Sequence, residues 1–235
     1  MMNQTNKILP EGILLVDKPK GITSFGIVGK LRKIFNVKKI GHTGTLDPFA
    51  TGVLVMLVGK KYTRLCDELI AHDKAYKATL MLGKSTDTFD CDGTVIKQSD
   101  IIPSEMQIKE ALFKFQGEIE QIPPMFSAKK VKGKKLYELA REGKTIERKP
   151  SLVKVETTYI SYNYPLLEIE VTCSKGTYIR SIAEDLGNLL GCGAHLIDLQ
   201  RTRSGPFKIE NCADGSTLHL QNDLSLKLLQ EIPVG

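Results

Sequence analysis

No two cysteines in this sequence are close enough to form a C-x-x-C pair: Cys66, Cys91, Cys173, Cys192 and Cys212 are scattered along the chain. That spacing argues against a zinc site or a disulfide framework and for reduced cytosolic thiols. No apolar run approaches the ~18 residues that cross a bilayer, and the opening MMNQTNKILPEG has no signal-peptide core. A soluble cytoplasmic protein without membrane contact is therefore expected. G-x-G-x-x-G, H-E-x-x-H and G-x-S-x-G do not occur; Gly21 and Gly26 open the spacing of a phosphate-binding loop, but its Gly-Lys-Ser/Thr ending is missing. There is no internal repeat, low-complexity tract or linker. Chemistry without a cofactor is what these absences leave.

What is present is a chain of 235 residues, 41% hydrophobic and 26% charged, the balance of a soluble globular protein with one domain or two small ones. Its formal charge of +6 is concentrated. From Lys129 to Lys149 there are nine basic residues (Lys129, Lys130, Lys132, Lys134, Lys135, Arg141, Lys144, Arg148, Lys149) against Glu138, Glu142 and Glu147. A basic segment on an otherwise neutral body fits a polyanion contact, with a solvated lysine face as the alternative.

Pattern reading places a strand at GILLVD (12–17), closed by the Lys18-Pro19-Lys20-Gly21 turn, and a helix capped by Thr23 or Ser24 with Ile27, Val28, Leu31, Ile34 and Phe35 inward. Val53 to Val58 reads as a buried strand. A helix or long turn over 59–72 with Leu65, Leu69 and Ile70 inward, and a strand over 73–83 carrying Tyr76, come next. Asp87, Asp90 and Asp92 share a loop over 84–93 but lack the terminal glutamate of a calcium loop. Strand 94–97, a helix from Ser104 with Gln107 completing a capping box, and strand 117–122 follow. Pro123-Pro124 then introduces a basic stretch that reads as loop to about Lys134 and helix to Arg141. Strands 152–162 and 166–174, a helix over 178–190, strand 194–203 and a helix at 223–229 complete the chain.

Between the first helix and the 53–58 strand lies GHTGTLDPFATG (41–52), too polar for a core and too ordered in composition for a linker. Gly41, Gly44 and Gly52 allow backbone conformations or close approaches that a Cβ obstructs, and Pro48 biases Asp47 towards extended backbone. The stretch reads either as an Asp-Pro turn between two elements or as an active-site loop whose carboxylate serves as nucleophile or general base, as in glycosidases acting at an anomeric carbon. Local sequence leaves both open.

GHTGTLDPFATG resembles the signature loop of the TruB-type tRNA pseudouridine synthases. So, in the same order, do DKPKGITS (17–24), KAYKATLMLGKSTDTFDCDG (74–93), PPMFSAKKVKGKKLYELAREG (123–143), SKGTYIRSIAEDLG (174–187) and GCGAHLIDLQRTRSG (191–205). The resemblance covers about residues 10 to 205. It implies an α+β fold with a mixed, mainly antiparallel sheet of the pseudouridine synthase type, flanking helices and a basic insertion at about 123–149. It divides the chain into a catalytic region, 1–205, and a short extension, 206–235, too brief for a full C-terminal PUA domain.

By the same resemblance the T-loop uridine of tRNA is flipped out and isomerised, without metal or cofactor. Asp47 is then the catalytic aspartate, Tyr76 the stacking tyrosine, and Arg180 the arginine that pairs with the aspartate. Arginine at a helix start gains nothing from the dipole, so a specific partner for Arg180 is expected in any case. Asp90 would help fix the site, His42 would occupy the space left by the flipped base, and Tyr178 and Leu199 would line the pocket. Lys18 would be structural or near the RNA, and Lys130, Lys134 and Arg141 phosphate contacts. The tRNA T-arm is the expected partner, with no obligatory protein partner and a monomeric enzyme. A silent RNA-binding or RNA-folding module is the rival, and a guide-dependent enzyme on other RNAs is a third reading.

Overall fold

The protein is described from a computed structural model covering residues 10–131, 133–220 and 223–231. Lys132 of the basic segment, the start of the chain through residue 9 and the last four residues lie outside the described residues. The fold is α+β, its sheets mainly antiparallel. It divides into two compact units, 1–72 with 200–235, and 73–199.

In the first unit, strand Gly12–Lys18 pairs antiparallel with Thr51–Val58, and Ile40–Thr43 flanks the latter on its other side, also antiparallel. The continuous apolar run over 53–58 is explained by burial on both faces. Leu54, Met56 and Val58 join Leu14 and Val16 in a core closed by Ile27, Val28, Leu31 and Phe35 of the first helix. Val53, Val55 and Leu57 join Ile13 and Leu15 in a second core closed by Tyr62, Leu69 and Phe207. Side chains alternate across a strand, so one apolar strand serves two cores.

The first helix runs Ser24–Phe35, capped by the Thr23 hydroxyl on the Gly26 amide, and ends where Asn36 turns left-handed with φ 54°. Ile34 was expected inward and is exposed instead, because the buried stripe passes through Leu31 and Phe35 and leaves position 34 at its edge. Over 59–72 the chain makes two short helices, Lys60–Thr63 and Cys66–Ile70, with Leu69 buried and Leu65 and Ile70 only half-buried. The C-terminal helix expected over 223–229 is a short 3-10 segment, Leu224–Lys227, anchored by Leu224 and Leu228 in the first core.

The second unit pairs Lys74–Leu82, Leu166–Cys173, Ser151–Asn163 and Gly117–Gln121 antiparallel in that order. Helices Glu105–Leu112 and Ile179–Leu189 pack against this sheet. The capping box at Ser104 and Gln107 forms as the sequence predicts. Lys84–Thr86, expected as loop, pairs with Val95–Gln98, and the basic stretch is less irregular than its sequence suggests: Lys130–Val131 and Lys134–Lys135 form a small hairpin before helix Leu136–Arg141. Strand Ala194–Ser204 begins in this unit and its last residues belong to the first. Among the described residues no helix is long and apolar enough to cross a membrane.

Candidate active site

The Asp47 loop connects Ile40–Thr43 to Thr51–Val58, two antiparallel neighbours, so the carboxylate sits on the connection of a hairpin. Its backbone is held from several directions. Leu46 is buried, and its amide donates to Ser24 Oγ at 2.9 Å while Ser24 Oγ lies 3.2 Å from the Leu46 carbonyl. The Pro48 carbonyl accepts from the Gly21 amide at 2.8 Å and from Lys18 Nζ at 3.3 Å. Phe49 and Ala50 are buried, and the Ala50 amide closes a turn onto the Asp47 carbonyl. Asp47 itself is half-buried. The DKPKGITS segment is thus the platform of the loop, with Asp17 Oδ1 accepting from the Gly52 amide at 3.0 Å.

Lys18, expected as structural or RNA-near, is fully buried, and its ammonium also donates to the Pro19 and Ile22 carbonyls at 2.9 and 2.8 Å. No surface remains on it for RNA. Burial pushes its pKa down to about 8; the nearby Asp47 carboxylate opposes this and Arg201 adds to it. Below about pH 8 the ammonium is charged and can donate to Pro48. Between about 8 and 10.5 the folded lysine is neutral while the unfolded one keeps its proton. The unfolded chain then binds more protons, and this group's contribution to stability rises with pH across that window. Anchoring of the loop goes the other way: turnover is expected to fall as pH passes about 8, and this alkaline fall to shift upward in Lys18→Arg, as a pH–rate profile would measure.

Arg201 escapes sequence reasoning altogether. It is 1% exposed and, among the described residues, the largest fully buried side chain, with Nε donating to the Val53 carbonyl at 2.7 Å and Nη2 to the Gly44 carbonyl at 3.1 Å. One guanidinium therefore ties together both ends of the Asp47 loop, using the fixed fork that lysine lacks. Arg201 lies in the polar run Gln200-Arg201-Thr202-Arg203 at the end of its strand, which reads equally well as solvent-facing. Replacing Arg201 by Met should cost about 2–3 kcal/mol by leaving two buried carbonyls unpaired. The cationic charge also depresses the His42 imidazole, whose pKa is lowered first by burial and then by Arg201. In Arg201→Met the His42 resonance should accordingly titrate at higher pH by NMR.

His42 lies on the Ile40–Thr43 strand opposite Met56, and its Nδ1 is buried without a hydrogen-bond partner. The imidazole is half-buried, its pKa lowered by burial, and one ring nitrogen is unused, so it is not a satisfied loop position.

In the second unit, Arg180 is 4% exposed and its Nη1 lies 3.3 Å from Oδ2 of Asp90, which is not the aspartate expected as its partner from the resemblance. It also donates to the Thr88 carbonyl at 3.1 Å and to the Phe126 carbonyl at 2.8 Å. Asp90 is 4% exposed and accepts from Thr88 Oγ1 and the Asp92 amide, so the acidic loop closes around this ion pair. The bond to Phe126, with Ser181 Oγ on the Ile122 carbonyl and Arg148 on the Pro123 carbonyl, ties the root of the basic insertion to the rest of the unit. Tyr76 is buried on the inward side of its strand, opposite Val171. Tyr178 precedes the Ile179–Leu189 helix, half-buried, its backbone held by the Gln121 amide group at 2.7 and 3.1 Å. Leu199 is 5% exposed. Lys130, Lys134 and Arg141 are exposed on the insertion, with Arg141 stacked on the Tyr137 ring.

Comparisons with known proteins match residues 32–179 to "TruB family pseudouridylate synthase (N terminal domain)" and residues 180–227 to "tRNA pseudouridylate synthase B C-terminal domain". A tRNA pseudouridine synthase B of Protochlamydia amoebophila (strain UWE25) is 60% identical over 220 residues, covering 94% of this chain and 84% of that protein. The protein of the same name from Chlamydia pneumoniae is 59% identical over 218 residues, covering 92% and 93%. Among solved structures, a chain of a Cbf5-Nop10-Gar1 complex superposes with a TM-score of 0.68 at 33% identity over 88% of this chain, which spans about half (52%) of that one.

Proposed function

The chain belongs to the TruB family of pseudouridylate synthases, and on that premise we propose that it isomerises the T-loop uridine of tRNA to pseudouridine, with Asp47 as the reacting carboxylate. The observation that carries the proposal is the anchoring of the Asp47 loop: Ser24, Gly21, Lys18 and Arg201 fix its backbone from opposite sides and leave the carboxylate half-exposed. Such immobilisation is what positional catalysis requires of a nucleophile.

The reaction breaks the C1′–N1 bond, forms C1′–C5, places a proton on N1 and releases one from C5. Atoms balance without an oxidant, reductant or second substrate. Asp47 acts either at the ribose C1′ or on the uracil ring while the base turns. Because the reacting atoms are stacked in a folded RNA loop, the nucleotide is extruded first and its base held against aromatic and apolar groups. We assign that stacking to Tyr76, the pocket wall to Tyr178 and Leu199, and the vacated space to His42. Arg180 serves the catalytic carboxylate and is itself set by Asp90. The insertion, through Lys130, Lys134 and Arg141, grips T-arm phosphates, and the enzyme works as a monomer in the cytoplasm.

The test is tritium release from a T-arm stem-loop labelled at uridine C5. Pseudouridine formation must expel that hydrogen, so release in step with product is expected. Binding without release would overturn the enzymatic reading in favour of a silent RNA-binding module.

A further inference from the structure

Every residue from Lys18 to Leu46 is free of negative charge: these positions hold seven lysines and arginines and neither aspartate nor glutamate. Two of those cations, Lys38 and Lys39, fall outside the helix's own needs. Arg32 and Lys33 lie in the last turn of helix Ser24–Phe35, where cations complement the dipole. That does not account for Lys38 and Lys39, which follow the helix and are exposed. Asn36, left-handed at φ 54°, ends the helix and turns the chain, and Arg32, Asn36, Val37, Lys38 and Lys39 together line a concavity of about 440 Å³. The Arg32 guanidinium donates from Nη2 to the Ile40 carbonyl at 3.4 Å, which fixes it at the hollow, and Arg32, Lys38 and Lys39 form no ion pair among the described residues.

Beside this concavity stands an aromatic ring. Phe25 is 64% exposed, and the Arg32 guanidinium sits 5.4 Å from its centroid. An exposed ring backed by a guanidinium is a stacking platform, and exposed cations grouped at a hollow and engaged in no ion pair match a phosphate backbone. An acidic protein would use the cations but not the platform.

We infer that Phe25, Arg32, Lys38 and Lys39 form a second RNA contact, on the first unit, that takes backbone phosphates and one stacked base of the nucleotides flanking the target uridine. This rests on the proposed action on RNA. The placement near the target follows from the chain: the extended backbone from Lys39 to His42 covers about 10 Å and leads directly into the Asp47 loop.

The test compares binding of a T-arm stem-loop at several monovalent salt concentrations. Each lost phosphate contact lowers the slope of log K against log salt by roughly 0.7–0.9. Lys38→Gln with Lys39→Gln should therefore flatten the slope by roughly 1.4–1.8, while Lys97→Gln with Lys114→Gln, the same charge change on exposed positions of the second unit, should leave it unchanged. Phe25→Leu keeps an apolar side chain but removes the ring, and should weaken binding at least about fivefold at fixed salt. A Lys38/Lys39 slope equal to wild type, or equal flattening by the control pair, overturns the inference. Tritium release by the wild-type enzyme, run alongside, separates the two claims: normal release with unmoved slopes refutes the surface alone, and absent release refutes the proposed reaction whatever the slopes do.

Discussion

Asp47→Asn should abolish tritium release from the labelled stem-loop, by at least about 10⁴-fold in kcat, while RNA affinity stays within about threefold. The exchange keeps the side chain's size and leaves the loop intact, since the contacts that hold the loop run through the Leu46 amide, the Pro48 carbonyl and the Gly44 carbonyl. What it removes is the anionic oxygen. An amide can neither attack an electrophilic carbon nor carry the negative charge of a base at neutral pH, so the loss falls on the chemical step and not on binding. Release at even a tenth of the wild-type rate would show that Asp47 is not the reacting group. A combined loss of affinity and activity would instead assign Asp47 to RNA binding.

Gly52→Ala should cost at least about 4 kcal/mol of stability, lowering the melting temperature by roughly 8–16 °C. Gly52 has φ +101°, a conformation that strains any L side chain, and its missing Cβ leaves room for the Arg201 backbone: the methyl would lie against the Arg201 carbonyl oxygen and 2.7 Å from its nitrogen. Both neighbours are backbone, so no side chain can rotate out of the way. Gly52 and Arg201 pair in parallel register, and separating them would also pull the Arg201 guanidinium from Gly44 and Val53. Thermal unfolding followed by circular dichroism checks this, and a melt within 3 °C of wild type would refute it. Activity at permissive temperature should fall too, because the displaced strand carries one end of the Asp47 loop.

The sequence determined a good deal by itself. Local rules fixed what local interactions decide: the Thr23 cap, the Ser104 capping box and the strand at 53–58 appear where composition and periodicity place them. The constraints that glycine, proline and a lone aspartate carry in their own covalent structure made the 41–52 loop stand out, but only its resemblance to the family's signature favoured an active-site loop over a turn. Arg180's need for a partner was likewise readable, since a cation at a helix start is unfavourable unless paired.

Other features required the tertiary structure, because they depend on residues distant in sequence. Whether 53–58 served one core or two was settled only when residues of both faces found different neighbours. Whether Lys18 was structural or near the RNA stayed open until three backbone carbonyls were found closed around its ammonium. Arg201 stands 157 positions from Gly44, and no pattern of spacing could announce that its guanidinium holds that carbonyl. An isolated charge in a sequence carries no sign of its burial; only the packed chain supplies the oxygens that make burying it worthwhile. The sequence thus pointed to the Asp47 loop through its family resemblance, and the fold decided what keeps that loop still.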